Sequence, residues 1–423
     1  MIELIATRGY EAITVRELSA TAGVSTRTLY ERFGGAEGSK QRCFLTTFDG
    51  LVEGAVQRIA ASRVGERDWR EHLHDAFTAF AQELARDPNA SRLVLVEALG
   101  AGPAGLERME LLSVQFEAMV SSCLAQAPGG AAVSPLMVKG IVAGVMRVAR
   151  VRLMNDRPEE LPALADELLE WALSYRSQDS AQLESLRRIP FPPASEPRAE
   201  RPAPAASNSG GGEQSASENT RLRILRSAAE LAAHEGYQAL TSERIVSAAG
   251  VRARTFSALF DDEQQCFLEA FEILGEQALR LADRARRTSE SWPGGVYRAV
   301  AALMEHTARD PVFACVAFVE IFVVGPPGLT ARERVMEQVT ADMFATARTD
   351  RELGPRESEL PIQASVGAIW GVAHHHIATA SVKSLPALSG ELAFMLLAPI
   401  LGASKAAEAI LAEHTNLMGS SNV

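Results

Sequence analysis

Along nearly the whole chain, apolar residues recur at spacings of three and four, and strict alternation is rare. That period marks amphipathic helices. In His72–Asp87, "HLHDAFTAFAQELARD", Phe77, Phe80 and Leu84 fall on one face, and Asp87-Pro88 stops the helix. Ala, Leu, Glu and Arg, all good helix formers, dominate the sequence. The pattern predicts an all-α protein. It lapses over Ile189–Thr220, "IPFPPASEPRAERPAPAASNSGGGEQSASENT", where Pro, Ser, Gly and charge replace the periodicity. Such a composition reads as a flexible linker, and it divides the chain into two nearly equal parts.

The two parts repeat one another. Gly9-Tyr10 and Ala22-Gly23-Val24 recur as Gly236-Tyr237 and Ala249-Gly250-Val251, at an offset of 227. Cys43-Phe44-Leu45, Arg86-Asp87-Pro88, Glu97, Gly102-Pro103 and Gly105 recur at an offset of 223. The sequence "LPAL" closes the series at Leu161–Leu164 and Leu385–Leu388. The offset changes by four between Phe33 and Cys43, so the first copy carries a short insertion at Gly34–Gly38. A period this long belongs to a duplicated domain and not to a solenoid.

Within each copy the repeated phrase "AGVSTRTLYERF" or "AGVRARTFSALF" reads as two short helices joined by a glycine turn. Thr14 and Glu17 form a capping box, Gly23 supplies the turn with Val24 tucked under it, and Ser25 or Thr26 caps the next helix. Thr26, Arg27 and Tyr30 then point outward, with Leu29 and Phe33 inward. Arg, Thr and Tyr at a helix start suit phosphate and base-edge contacts. A purely structural helical hairpin has the same pattern, so the spacing alone leaves both readings open.

The wider stretch "GYEAITVRELSATAGVSTRTLYERF", followed by Ser39-Lys40, resembles the DNA-binding domain of the TetR family of transcription regulators. Gly236-Tyr237, Thr241, Ala249-Gly250-Val251, Thr255-Phe256 and Phe260 repeat the resemblance more loosely. It implies an all-α chain of two fused subunits. Each would carry a helix-turn-helix domain and a larger helical domain enclosing an effector pocket, and the last two helices of each would pair in a four-helix bundle. The expected domains are 1–48 and 220–271 for DNA binding, 49–188 and 272–416 for effector binding and pairing, and 189–219 as linker. The expected bundle helices are Pro135–Leu153 with Leu161–Tyr175, and Leu360–Val382 with Leu385–Leu401. The implied function is a regulator of a double-stranded DNA operator, a repressor released by a hydrophobic small molecule. It would bind an imperfect palindrome as an intramolecular pseudo-dimer. The alternative is an effector-less scaffold, or a regulator whose second helix-turn-helix has lost DNA.

The expected DNA-binding residues are Thr14, Arg16, Ser25, Thr26, Arg27, Thr28, Tyr30 and Lys40. In the second copy they are Thr241, Arg244, Arg252, Arg254, Thr255 and Ser257. The first copy carries Tyr30 and Lys40 where the second has Ser257 and Asp262, and a carboxylate there opposes phosphate binding. Arg252 and Arg254 stand against that loss, since Arg can read guanine bidentately. Two readings follow: the second copy reads a different half-site, or it survives as a structural partner. Met1 aligns with Ala228, so the first copy lacks the turns matching "TRLRILRS", and a reading frame continuing upstream of Met1 is expected.

Composition adds limits. A net charge of −11 excludes a polybasic nucleic-acid coat but not local basic patches. Four cysteines without a CxxC pair point to buried thiols in a cytoplasmic protein, with no disulfide framework or zinc site. No uninterrupted apolar run of 18 residues indicates a membrane span. His374-His375-His376 cannot converge on one metal, because consecutive helical residues point about 100° apart, so neither metal nor cofactor is expected. The first copy has Arg147 and Arg150 in the corresponding region, so any ligand chemistry would differ between copies. Pocket candidates are Phe77, Phe80, Phe116 and Met119, with Phe318, Phe322, Phe344, Trp370 and His374. No P-loop, nucleophile elbow, HExxH or GxGxxG stands in suitable context, so an enzyme is not expected.

Overall fold

The structure is a computed structural model that describes residues 1–36, 38–61, 68–127, 133–176, 180–189, 212–350, 352–354, 357–379 and 381–420. Most of the expected linker, 189–219, lies outside the described residues. The part that is described is already helical from Gly212. Among the described residues there is no β-strand.

The first copy runs α1 (Ile2–Ala12), α2 (Val15–Thr21), α3 (Thr26–Arg32), α4 (Ser39–Ala61), α5 (Trp69–Arg86), α6 (Pro88–Leu95), α7 (Pro103–Ala125), α8 (Pro135–Met154), α9 (Ala165–Leu173) and α10 (Ser180–Arg187). The second runs α11 (Gly212–Glu235), α12 (Ser242–Ala249), α13 (Ala253–Ser257), α14 (Glu263–Arg286), α15 (Trp292–Arg309) and α16 (Pro311–Cys315). It continues through α17 (Ile321–Val323), α18 (Pro326–Thr349), α19 (Leu360–Thr379), α20 (Ser389–Leu401) and α21 (Ala403–Ser420).

Repeated residues make repeated joints. Asp87 ends α5 and caps α6, accepting from the Ala90 amide at 3.0 Å, with Pro88 in the first turn. Asp310 does the same before α16, accepting from Phe313 at 3.0 Å. A carboxylate there satisfies an orphan amide, and proline has no amide to leave unpaired. Each "LPAL" lies in a 3-10 turn, Pro158–Leu164 and Val382–Leu388. The bundle helices that were expected to open at Leu161 and Leu385 therefore open later, at Ala165 and Ser389. Pro162 and Pro386 lack the amide an α-helix would need there.

The chain forms two compact units. The first comprises Met1–Ser180, Phe322–His374 and Met395–Ala403. It therefore holds the whole first copy through α9, together with helices of the second. Within this unit α8 crosses α19 through glycines on both helices. At the offset of 224 set by the LPAL repeats, Gly140 and Gly144 on α8 correspond to Ala364 and Ala368 on α19, and Ala143 and Arg147 to Gly367 and Gly371. A Cβ on Gly144 would stand 2.6 Å from the Ala364 carbonyl oxygen and against the Trp171 ring. One on Gly367 would stand 2.8 Å from Arg147 Cβ, and one on Gly371 would strike Ala143. Small residues one turn apart let the two backbones approach where any side chain would hold them off. On the flank of the crossing, Trp171 Nε1 donates to Ser365 Oγ at 3.0 Å, and Tyr175 donates its hydroxyl to the Met395 carbonyl at 3.0 Å. Helices from both copies thus share one four-helix core made of α8, α9, α19 and the end of α20.

The second unit comprises Ala181–Ile321, His375–Phe394 and Ser404–Val423. Its helix-turn-helix packs through α12 on α11, which packs in turn on α14, with Phe256, Phe260 and Phe267 buried. The last helix, α21, docks through Tyr297 Oη and His414 Nδ1, 3.0 Å apart, and through an Arg298–Glu413 ion pair. The stretch Val382–Leu401 reaches the length and hydropathy of a membrane span, but most of it is buried in protein. Among the described residues no cysteine is in a disulfide, and Cys123 and Cys266 are buried.

Candidate nucleic-acid interface

The first helix-turn-helix is built from local hydrogen bonds. Thr14 Oγ1 accepts from the Glu17 amide at 3.3 Å, and the Glu17 carboxylate accepts from the Thr14 amide at 2.9 Å. These bonds hold the Glu17 carboxyl down to about pKa 2. Gly23 takes φ +65° between α2 and α3, a left-handed turn that favours glycine, and Gly250 takes φ +61° at the matching place. Ser25, not Thr26, caps α3, accepting from the Thr28 amide at 3.0 Å. Leu18 and Leu29 are buried between the helices. Val24 was expected to tuck under the turn, but it is 42% exposed, because the turn carries it off the helix pair towards solvent.

The outward face of α3 carries the expected recognition residues. Ser25, Thr26, Arg27 and Thr28 are exposed, Tyr30 is half-buried, and Thr14 and Arg16 are exposed beside them. Arg27 pairs with Glu31 at 2.8 Å, one turn along. A pair this exposed is worth only a few tenths of a kcal/mol, so the guanidinium is easily redirected. Lys40 sits apart from this row. Its ammonium lies 4.4 Å from the centre of the Tyr10 ring and donates to the Glu11 carbonyl at 3.1 Å. Burial pushes its pKa down, opposed by the nearby Glu11 carboxylate. The insertion before it is closed by Arg42, which donates to the Gly34 carbonyl at 2.8 Å and to that of Phe33.

The second copy keeps the frame and changes the surface. Thr241 caps α12, accepting from the Arg244 amide at 3.3 Å. Arg244 turns back onto its own domain, paired with Glu235 and donating to the Ala239 carbonyl at 3.0 Å. The recognition helix α13 is shorter than α3, and Arg252 at its cap position makes no side-chain cap bond. The serine that starts α3 is missing there. Arg252, Arg254 and Ser257 are exposed and Thr255 is half-buried. Among the described residues neither Arg252 nor Arg254 forms an ion pair, so both guanidiniums are available. Asp262 caps α14 through the Gln265 amide at 2.7 Å and is the counterpart of Ser39. At the offset of 223, the residue in the place of Lys40 is Glu263, which accepts from Ser242 Oγ at 2.7 Å.

One joint was not legible as such in the sequence. Gly9 takes φ +75° and Gly236 φ +86°, and each turns the following tyrosine amide onto a carboxylate of the large domain. Tyr10 donates to Glu97 Oε2 at 2.8 Å, and Tyr237 donates to Glu320 Oε2 at 2.6 Å. Burial raises the pKa of both carboxyls. The two glutamates were visible only as repeated letters. The joint ties the first helix of each reading domain to the helices behind it. Glu97→Ala is expected to destabilise the chain by about 1–3 kcal/mol by leaving a buried amide unpaired. The check is urea unfolding beside Glu53→Ala, an exposed change that should fall within about 0.5 kcal/mol of the parent.

The pocket candidates divide. Phe77, Phe80, Phe116 and Met119 line one small apolar cavity of about 20 Å³, with Val142, Val145 and Met146 of α8. Phe80 and Phe116 meet edge to face at 4.9 Å. The second-copy candidates do not meet as one group. Phe318 packs on Phe313 and Phe322 on His374, while Phe344 lies beneath Arg348 and Trp370 is half-buried. His376 is drawn to Ser384 Oγ at 2.7 Å. Among the described residues no group of His, Cys, Asp and Glu is placed to hold a metal.

An all-helical chain with two helix-turn-helix domains, each presenting arginine on its second helix, has the features of helical DNA-binding regulators. The family described as "Bacterial regulatory proteins, tetR family" matches residues 2–38 and again 224–270. The match covers the family's DNA-binding segment, which the chain carries twice. It is 29% identical over 126 residues to the HTH-type transcriptional regulator AlkX of Mycobacterium tuberculosis, a match covering 30% of this chain and 56% of that protein. It is 25% identical over 171 residues to the HTH-type transcriptional activator FasR of Mycolicibacterium smegmatis, covering 40% of this chain and 76% of that protein. Among solved structures, the fatty acid degradation regulator FadR of Bacillus halodurans aligns at 15% identity with a TM-score of 0.36, over 42% of this chain and 94% of that one.

Proposed function

We propose that this regulator is a repressor in which one chain supplies both readers of an imperfect palindrome, and that a hydrophobic small molecule releases it. The observation that carries the first part is the shared core of α8, α9, α19 and α20, in which helices of the two copies pack closely through glycines on both. A symmetric dimer needs two identical readers. Here the readers are Ser25-Thr26-Arg27-Thr28-Tyr30 and Arg252-Ala253-Arg254-Thr255-Ser257, so the half-sites should differ. In dimeric helix-turn-helix proteins such half-sites lie about 34–36 Å apart. Thr14, Arg16, Lys40, Thr241 and Arg244 are assigned to the flanking phosphates, with Arg244 first leaving Glu235. The apolar lining of Phe77, Phe80, Phe116 and Met119 is the chemistry a hydrophobic effector requires, and the cavity of about 20 Å³ must open to admit one. A cytoplasmic location follows from DNA as the partner.

Arg27→Ala is expected to weaken binding through one half-site and Arg254→Ala through the other, each by about 1–3 kcal/mol. Tyr30→Phe and Lys40→Ala should weaken binding to all sequences and flatten its salt dependence. The test is footprinting on the protein's own upstream DNA, then titration of the variants on operators with one half-site scrambled. If Arg254→Ala binds every operator as the parent does, the second copy reads nothing and serves as a structural partner. The name of FasR, an activator, favours the opposite sign of regulation as a second reading. A promoter fusion whose output falls when the gene is deleted would establish it.

A further inference from the structure

In the first unit, α8 and α18 bring three arginines together around a single carboxylate. Arg147 donates from Nε to Glu333 Oε1 at 2.8 Å, and from a terminal nitrogen to the Gln363 carbonyl at 2.6 Å and Thr340 Oγ1 at 3.3 Å. Its charge is matched. Arg150, one turn along the same face of α8, donates from Nε to the Leu95 carbonyl at 2.9 Å and forms no ion pair among the described residues. Arg332, next to Glu333 on α18, has only a 3.9 Å approach to Glu333 Oε2 and a place over the Phe322 ring at 4.9 Å. Among the described residues its Nε has no hydrogen-bond partner, and neither does Glu333 Oε2. All four residues are buried, Arg332 at 4% exposure and Arg150 at 8%.

Three guanidiniums against one carboxylate leave two positive charges in excess. Burial is the first cause lowering the pKa of Arg150 to about 10 and of Arg332 to about 9, and the mutual repulsion of the arginines adds to it. Arginine does not surrender its proton near neutral pH, and an unpaired buried charge is too unfavourable to leave unanswered. We propose that Arg150 and Arg332 form a buried oxyanion site, which takes a carboxylate or phosphate group between them. The fork of a guanidinium matches both groups bidentately. Met146, which lines the apolar cavity, lies one turn from Arg150 on the same face of α8. The site can therefore be filled by a free oxyanion or by the head of an amphiphile whose tail follows Met146 towards Phe80.

The experiment uses the full chain without DNA, at fixed ionic strength, and reads the thermal midpoint and calorimetric titration with inorganic phosphate. The parent should show a saturable rise of roughly 5 °C at a hundredfold excess over the dissociation constant. Arg332→Met removes one uncompensated charge and keeps the volume. It should melt higher than the parent without phosphate and bind phosphate at least tenfold more weakly. Should Arg332→Met not fold, Arg150→Met is titrated in its place with the same expectation. Decanoate and decanol separate the two sources. Decanoate binding tighter than phosphate, with decanol silent, places an amphiphile's head at the arginines, and phosphate binding alone marks a free oxyanion. Titration curves unchanged by the substitution, no saturable response in the parent, or decanol equal to decanoate would each overturn the proposal.

Discussion

Gly144→Val is expected to destabilise the chain by about 3 kcal/mol or more and to split the four-helix core. The new side chain would enter space held by the Trp171 ring and stand 2.6 Å from the Ala364 carbonyl oxygen. The ring can turn, but backbone in a packed helix cannot, so α8 and α19 must separate. Overpacking of this kind typically costs about 1–3 kcal/mol when only side chains move, and more when backbone is displaced. The separation should also weaken the Trp171–Ser365 bond at 3.0 Å, which tryptophan fluorescence would report as a red shift. Gly50→Ala is the control. It lies inside α4 with nothing within 4 Å of its Cβ position, so it should stabilise by about 0.5–1 kcal/mol. Equal effects of the two substitutions would mean that the crossing is not tight.

Glu333→Ala should be as damaging for a different reason. It removes the carboxylate that answers Arg147 and leaves Arg147, Arg150 and Arg332 buried together. Breaking one partner of a buried ion pair costs about 3–5 kcal/mol, because the remaining charge is stranded. The double change Glu333→Leu with Arg147→Met removes both members, and it should recover much of the loss. Denaturant midpoints of the single and double variants decide this. A double variant no more stable than Glu333→Ala would show that the pair acts through its shape and not its charge.

What the sequence disclosed depends on how local each cause is. Thr14 with Glu17, the turn at Gly23 and the serine before α3 act within a few residues, so their pattern carries the geometry. The repeat was legible for the same reason. A glycine inside a helix does not announce what lies opposite, so the crossing needed the fold. Arg147 and Arg150 stood out as a difference between the copies, yet the partner of Arg147 is 186 residues away. Val24 was misplaced because an apolar residue after a turn can face either way. The "LPAL" stretches read as helix because their apolar spacing fits one, and the proline amide then decides for a 3-10 turn.

The direct test of one chain acting as a pair of readers is the mass of its complex with DNA. Native mass spectrometry of the purified chain, mixed with a footprinted operator carrying both half-sites, should give one chain per duplex. That ratio should hold at protein concentrations well above saturation, and scrambling either half-site should reduce affinity without changing the ratio. A complex of two chains per operator, forming cooperatively and lost when either half-site is scrambled, would contradict the account.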